Sequence, residues 1–357
     1  MQDEHPILTE VADGVAVLTL NRPHALNAIN LEMLHAMWDH VIAWRDDPGV
    51  HAVIVQGAGN RAFSAGGDVR AVFENRGDDV FMHEVYRAEY VYDRMIHHYP
   101  KPYIPLMNGI VMGGGAGVSV HAAPGRRIVT ERTIFAMPET ALGLFPDMGA
   151  SHFLARTPGS VGMYLSLTGA RIGAADAIHA GFADHHIPSA ALDGLIASLR
   201  AGEDIDAAIA RLATDPGPSN LAEIGDAIER CFAADSLSGV IAALEAEDGE
   251  WAAKSLELVR AMCPFSQAVT FKDVRMGAGR SVEECLSTAF RIALRFMDRE
   301  DYFEGARAIL IDKDNTPRWN PETIEMVDPA EVNACFAPLD DRFKELTFEQ
   351  PREDLLI

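Results

Sequence analysis

An α/β fold continued by a helical C-terminal region is the architecture this 357-residue sequence predicts, on two observations. Over roughly the first 150 residues, short β-branched runs alternate with longer stretches of helical spacing, as in layered α/β proteins. Beyond about Leu154 the strand signal fades and Ala-rich helical stretches take over.

Val15–Leu20 is β-branched and apolar and reads as a strand, Leu31–Trp44 carries apolar residues at helical spacing, and His51–Gln56 is the next strand. Asp78–Tyr99 is amphipathic with scattered aromatics, a helix, and Tyr103–Leu106 returns to strand. Gly113, Gly114 and Gly115 then follow the apolar run Ile110–Met112 and read as a tight turn opening a buried helix. Further helices are expected over Ala174–Ala180, Ala190–Arg200, Ile205–Ala213, Leu221–Ala234, Trp251–Met262 and Val282–Arg299. The clearest linker is Thr214–Ser219, a cluster of turn residues. A division near Arg200 gives an α/β core over 1–200 that carries the site and a mainly helical region over 201–357.

Hydrophobic residues make up 48% and charged residues 23%, an ordinary globular balance. The formal net charge of −23, from 30 Lys+Arg against 53 Asp+Glu, argues against nucleic acid or an anionic membrane as partner. A phosphate-bearing ligand needs a local basic patch, for which Arg22, Arg61 and Arg70 are candidates with none singled out. Cys231, Cys263, Cys285 and Cys335 show no CxxC pairing, and the histidines, His121 and the pairs His97–His98 and His185–His186 among them, show no HExxH spacing; no metal site is expected. No GxGxxG follows a strand, no P-loop motif occurs, and no apolar run is long enough to span a bilayer. The acidic start MQDEHPILTE lacks secretory or transit character, so a cytoplasmic location is expected.

Chemistry is expected in Asn108–His152, where a glycine-dense turn precedes two carboxylates in apolar surroundings. Glu139 and Asp147 lie eight residues apart in a loop punctuated by Pro138, Gly143 and Pro146, which can bring both to one cavity wall. Burial disfavours the charged form of such a carboxyl and suits it to acid/base work. The plainer reading of Glu139 is a first-turn helix residue facing free N–H groups, and that of Asp147 an ordinary turn aspartate. A second glycine turn, in Arg61–Arg70 after the strand His51–Gln56, places Gly67 where it and Gly114 can each offer one backbone N–H to a carbonyl oxygen, stabilising an enolate or tetrahedral oxyanion. Gly117–His121 imitates a nucleophile elbow but has His121 where the final glycine belongs, so a serine hydrolase is the poorer enzyme reading.

The order LNRPHALNAIN (20–30), AFSAGGDV (62–69), NGIVMGGGAG (108–117) and MPETALGLFPDMG (137–149) resembles the crotonase (enoyl-CoA hydratase/isomerase) superfamily. SVH at Ser119–His121, Phe135–Gly149 and DYFEGARAILIDKDNTPRWNP at Asp301–Pro321 resemble, more narrowly, its 3-hydroxyisobutyryl-CoA hydrolase branch. The likeness runs from about Gly14 to Pro321 and is weakest over Ile187–Glu250. It implies a crotonase-like spiral of ββα turns, with a C-terminal helical part that packs over the site and serves self-association as a homo-oligomer. It implies Glu139 and Asp147 as catalytic residues, Gly67 and Gly114 as the oxyanion hole and Glu89 as a substrate contact. The expected reaction is hydrolysis of a short 3-hydroxyacyl-CoA, foremost 3-hydroxyisobutyryl-CoA of valine breakdown, with no metal or redox cofactor and with coenzyme A as part of the substrate. Hydratases of the superfamily carry a second glutamate at the position of Gly117, which weighs against a hydratase or isomerase. A non-catalytic acyl-CoA-binding protein is the other alternative. The usual P-D-V-G-G-G-Y stands here as P146-D-M-G-A-S-H152, a departure beside the acyl pocket.

Overall fold

In the computed structural model, which describes residues 5–348, the chain winds between two sheets. Strand β1 (Ile7–Ala12) turns through Asp13 and Gly14, both at positive φ, and pairs antiparallel with β2 (Val15–Leu20). Two successive positive φ values are what a two-residue type I′ hairpin loop requires. The large sheet continues in parallel, in the order β1-β2-β3-β5-β7-β9, through β3 (Ala52–Gly57), β5 (Tyr103–Met107), β7 (Ile128–Val129) and β9 (His185–His186). A smaller parallel sheet holds β4 (Ala62–Ser64), β6 (Ile110–Met112) and β8 (Ile134–Ala136). Each of β3, β5 and β7 is followed by a strand of the smaller sheet and then by helix, which is the expected ββα spiral.

Within the spiral lie α1 (Leu31–Asp46), α2 (Val69–Glu74), α3 (Asp79–His97), α4 (Gly114–Val120), α5 (Ser151–Leu154), α6 (Val161–Thr168) and α7 (Ala174–His179). Then come α8 (Leu192–Arg200), α9 (Ile205–Leu212), α10 (Asn220–Glu223), α11 (Gly225–Phe232), α12 (Leu237–Ala246) and α13 (Glu250–Ala261). The last are α14 (Pro264–Gly277), α15 (Val282–Phe296), α16 (Glu300–Ala306) and α17 (Pro329–Ala334). The helix expected over Leu221–Ala234 is broken at Ile224 into α10 and α11, beside Gly225, a poor helix former. Residues 214–219 run without helix or strand, as expected of the linker.

Strand β5 is buried at every position, as a central parallel strand covered on both faces must be. On one face Val15, Val17, Ile54 and Leu106 pack against Leu195, Leu199 and Ile209 of α8 and α9. The other face joins a larger core that runs from Ile7 to Leu346 and includes α3, α14, α15 and α16. Helix α16 grips the short 3-10 turn Glu139–Leu142 at backbone distance. A Cβ added at Gly143 (φ +72°) would fall 2.3 Å from the Asp301 carbonyl oxygen, and one at Gly305 2.3 Å from that of Leu142. Only glycine permits so close a passage.

Candidate active site

Strands β4 and β6 are parallel neighbours, Ala62 opposite Ile110, so the turns that leave them emerge side by side. The first turn is held by a bridge in which Ile29 N–H donates to Gly66 O and Asp68 N–H donates to Ile29 O, both at 2.8 Å; the Gly67 N–H takes no part in it. Gly113 (φ +51°) forms the second turn, and Gly114 begins α4, where a first-turn N–H has no acceptor within the helix. A Cβ on Gly114 would lie 3.2 Å from the Gly67 nitrogen and 2.2 Å from Glu89 Oε1. The two turns meet, with the Glu89 carboxyl against them.

All five residues expected at the site line one cavity of about 90 Å³: Gly67, Glu89, Gly114, Glu139 and Asp147. Its wall is completed by apolar groups such as Val72, Val85 and Leu144, and by Tyr86 of α3 and Tyr302 of α16. Glu139 opens its 3-10 turn directly after Pro138, yet both of its buried carboxyl oxygens are without a hydrogen-bond partner, so it does not cap the turn. Asp147 is buried in the following loop and accepts the Tyr90 hydroxyl proton at Oδ2, 2.8 Å. Glu89 projects from α3, whose buried stripe Met82, Tyr86, Glu89, Tyr90, Asp93 and Ile96 follows helical spacing. It belongs to the core face of that helix rather than a solvated one.

The carboxyls differ in how readily they ionise. Burial, and then the charge of Asp147, push Glu139 well above the usual carboxylate range and Glu89 up to about 8. Burial raises Asp147 only to about 6, because the Tyr90 hydroxyl and the Asp147 and Met148 backbone hydrogen bonds favour its charged form. Acids of one cavity with separated proton affinities can act as donor and acceptor in turn.

Arg22, a candidate for phosphate contacts, is engaged by Asp68 at 2.8 Å and by the Ala28 carbonyl, while Arg61 and Arg70 are exposed. Ser119 lies in α4, its hydroxyl bonded back to Gly115 O at 2.7 Å. The rings of His97, His121 and His152 cluster, but among the described residues no group of three or more His, Cys, Asp or Glu is placed to hold a metal ion. Tyr86, Tyr90, Tyr302 and Asp93 were not expected near the site. For the residues of α3 the signal was present as spacing, since they fall in register with Met82 and Ile96; for Tyr302 no local pattern announces the contact.

The enoyl-CoA hydratase/isomerase family model matches residues 15–336, and the chain belongs to that family. Among its relatives, the mitochondrial 3-hydroxyisobutyryl-CoA hydrolase of Xenopus tropicalis is 38% identical over 350 residues, covering 95% of this chain and 90% of the relative. 3-Hydroxyisobutyryl-CoA hydrolase 1 of Arabidopsis thaliana is 40% identical over 354 residues, covering 94% and 92%. Two solved structures superpose closely. One is described as a carnitinyl-CoA dehydratase from Mycobacterium thermoresistibile (TM-score 0.92, 40% identity, 98% of this chain and 100% of that one). The other is an enoyl-CoA hydratase from Rhodobacter sphaeroides 2.4.1 (TM-score 0.90, 39% identity, 96% and 100%).

Proposed function

We propose that this chain is an acyl-CoA thioester hydrolase whose substrate is 3-hydroxyisobutyryl-CoA, an intermediate of valine degradation. The observation that carries the reading is the meeting of Glu139, Asp147 and Glu89 with the Gly67 and Gly114 turns in one small cavity, in a chain whose relatives bear that hydrolase name. The Gly67 and Gly114 N–H groups receive the thioester oxygen and stabilise the charge that grows on it. Glu139, as carboxylate, either attacks the acyl carbon to form an anhydride or takes a proton from the attacking water. The C–S bond breaks, the thiolate takes up a proton, and water supplies the hydroxyl of the released acid. Asp147 and Glu89 receive the substrate hydroxyl and move protons. The reaction proposed uses no metal or redox cofactor.

The names of the two solved structures favour a second reading, addition of water to an enoyl thioester or its reverse. Gly117, without a side chain, cannot move a proton at the position where the resemblance places a hydratase glutamate. Free-thiol release measured with 3-hydroxyisobutyryl-, 3-hydroxypropionyl-, isobutyryl- and crotonyl-CoA separates the two. Release should be fastest with the 3-hydroxyacyl thioesters. Equal release from isobutyryl-CoA, or hydration of crotonyl-CoA without release, overturns the reading.

No helix among the described residues is long and apolar enough to cross a membrane. We place the enzyme in the cytoplasm, supported by four cysteines that are all free and buried; several relatives are named mitochondrial, and fractionation decides. Self-association through the helical region completes the proposal, and light scattering tests it.

A further inference from the structure

His121, the residue that breaks the elbow likeness at Gly117–His121, follows the last residue of α4 and is 2% exposed. Its Nε2 stands 2.8 Å from the carbonyl oxygen of Met148, the residue after Asp147. A carbonyl oxygen has no proton to give, so Nε2 carries the hydrogen and donates. At the end of α3, His97 Nδ1 donates in turn to the His121 carbonyl oxygen at 3.2 Å. Two hydrogen bonds therefore lead from α3, past the end of α4, to the loop that holds Asp147.

That loop needs holding. Met148 is buried at φ +47°, a left-handed conformation that a residue with a side chain keeps only where its surroundings fix it, and Gly149 follows at φ +67°. The chain thus bends sharply just after Asp147, and the Met148 backbone hydrogen bond is among the groups that favour the charged Asp147 carboxyl. His121 grips the same residue by its carbonyl. The His121 ring is packed by Phe153 at 5.4 Å and by His97 and His152 at 6.3 Å, with Arg127, itself paired to Asp184 at 2.7 Å, the cation acting on it. Burial foremost, and then these charges, keep the imidazole neutral, so the donor does not come and go near neutral pH.

We propose that His121 is a positioning residue of this site, whose Nε2–H anchors the Met148 carbonyl and so holds the left-handed turn that presents the Asp147 carboxyl to the cavity. The inference rests on the hydrolase reading for what Asp147 does there, but the anchor itself is read without substrate.

His121→Gln places an amide N–H the same number of bonds from Cβ as Nε2, whereas His121→Phe fills the place of the ring with no donor. Asp147 should ionise in the Gln variant as in wild type, and about one unit higher in the Phe variant, where the turn is released. Asp147 also faces Glu89, Asp93, Glu139, Tyr86, Tyr90 and Tyr302, none of which either substitution alters. A carboxyl-carbon NMR titration of Asp147, assigned with Asp147→Asn, reads the displacement, and the acidic limb of kcat/KM for thiol release should follow it. A role in packing alone gives no reason for the Gln variant to be spared. Nitrogen NMR of the wild-type imidazole should find His121 neutral with its proton on Nε2 at pH 7. A proton on Nδ1, displacement of Asp147 in both variants alike, or none in the Phe variant overturns the proposal. If the Phe variant does not fold, the Gln variant decides: Asp147 unmoved there supports the anchor, and Asp147 displaced overturns it. Wild type that shows the Nε2 proton and the expected titrations yet releases no thiol removes the hydrolase reading and leaves the anchor standing.

Discussion

The Tyr90 hydroxyl donates to Asp147 Oδ2 at 2.8 Å, joining the core face of α3 to the loop behind Glu139. Both groups are buried, so this bond opposes the desolvation that pushes Asp147 upward. Tyr90→Phe keeps the ring and removes the donor. Asp147 should then ionise at higher pH, and the acidic limb of the kcat/KM profile should move up by roughly one unit. An unmoved limb would show that Asp147 titration does not govern the reaction.

Glu139→Gln preserves volume but not the ionisable group. Turnover should fall about a hundredfold or more, with thermal stability unchanged or slightly raised, because the carboxyl oxygens make no hydrogen bond to lose. Single-turnover hydrolysis in heavy-oxygen water distinguishes the two roles of Glu139. Label in its carboxyl marks an anhydride opened at the enzyme carbonyl.

Glu89 predicts a stability effect with a definite sign. Its folded-state pKa, near 8, lies above the unfolded value, so the folded chain keeps a proton that the unfolded chain has released. Stability linked to this group is fully present below about pH 4 and is lost as pH rises through 8. Glu89→Gln should therefore melt higher than wild type at pH 8 and close to it at pH 4.5. Paired thermal melts at the two pH values check the difference.

Gly143→Ala forces a Cβ into the Asp301 carbonyl oxygen at a positive φ. The cost should be about 2 kcal/mol or more in denaturant unfolding. Turnover should fall as well, since the same turn carries Glu139.

Much of this molecule was legible in order of residues. The strands at 15–20 and 103–106 declare themselves as short apolar runs, because both faces of the sheet are covered, and the helices at 31–44 and 282–299 by the spacing of their apolar residues. Strand β1 carries no core-facing run, being exposed over four central positions, and only Asp13-Gly14 marks its turn. Strands of two or three residues, such as β7 and β8, are too short to show a period. At the site, motif and chemistry together point to Glu139, Asp147, Gly67 and Gly114, and these residues line one cavity. Asp93 falls in register with the buried stripe of α3, but an acid is ordinarily assigned to a solvated face, and its place against Gly117 of α4 comes from the packing alone.

The clasp between Gly305 and Leu142 also bears on timing. A chain emerging from the ribosome can lay down β1 to β8 and present Glu139 long before residues 301–305 have been made. Until they arrive, the Glu139 turn lacks the helix that pins it, and the cavity lacks Tyr302. A chain that stops short of residue 301 is therefore expected to fold its strands yet lack a fixed Glu139 and a closed cavity wall.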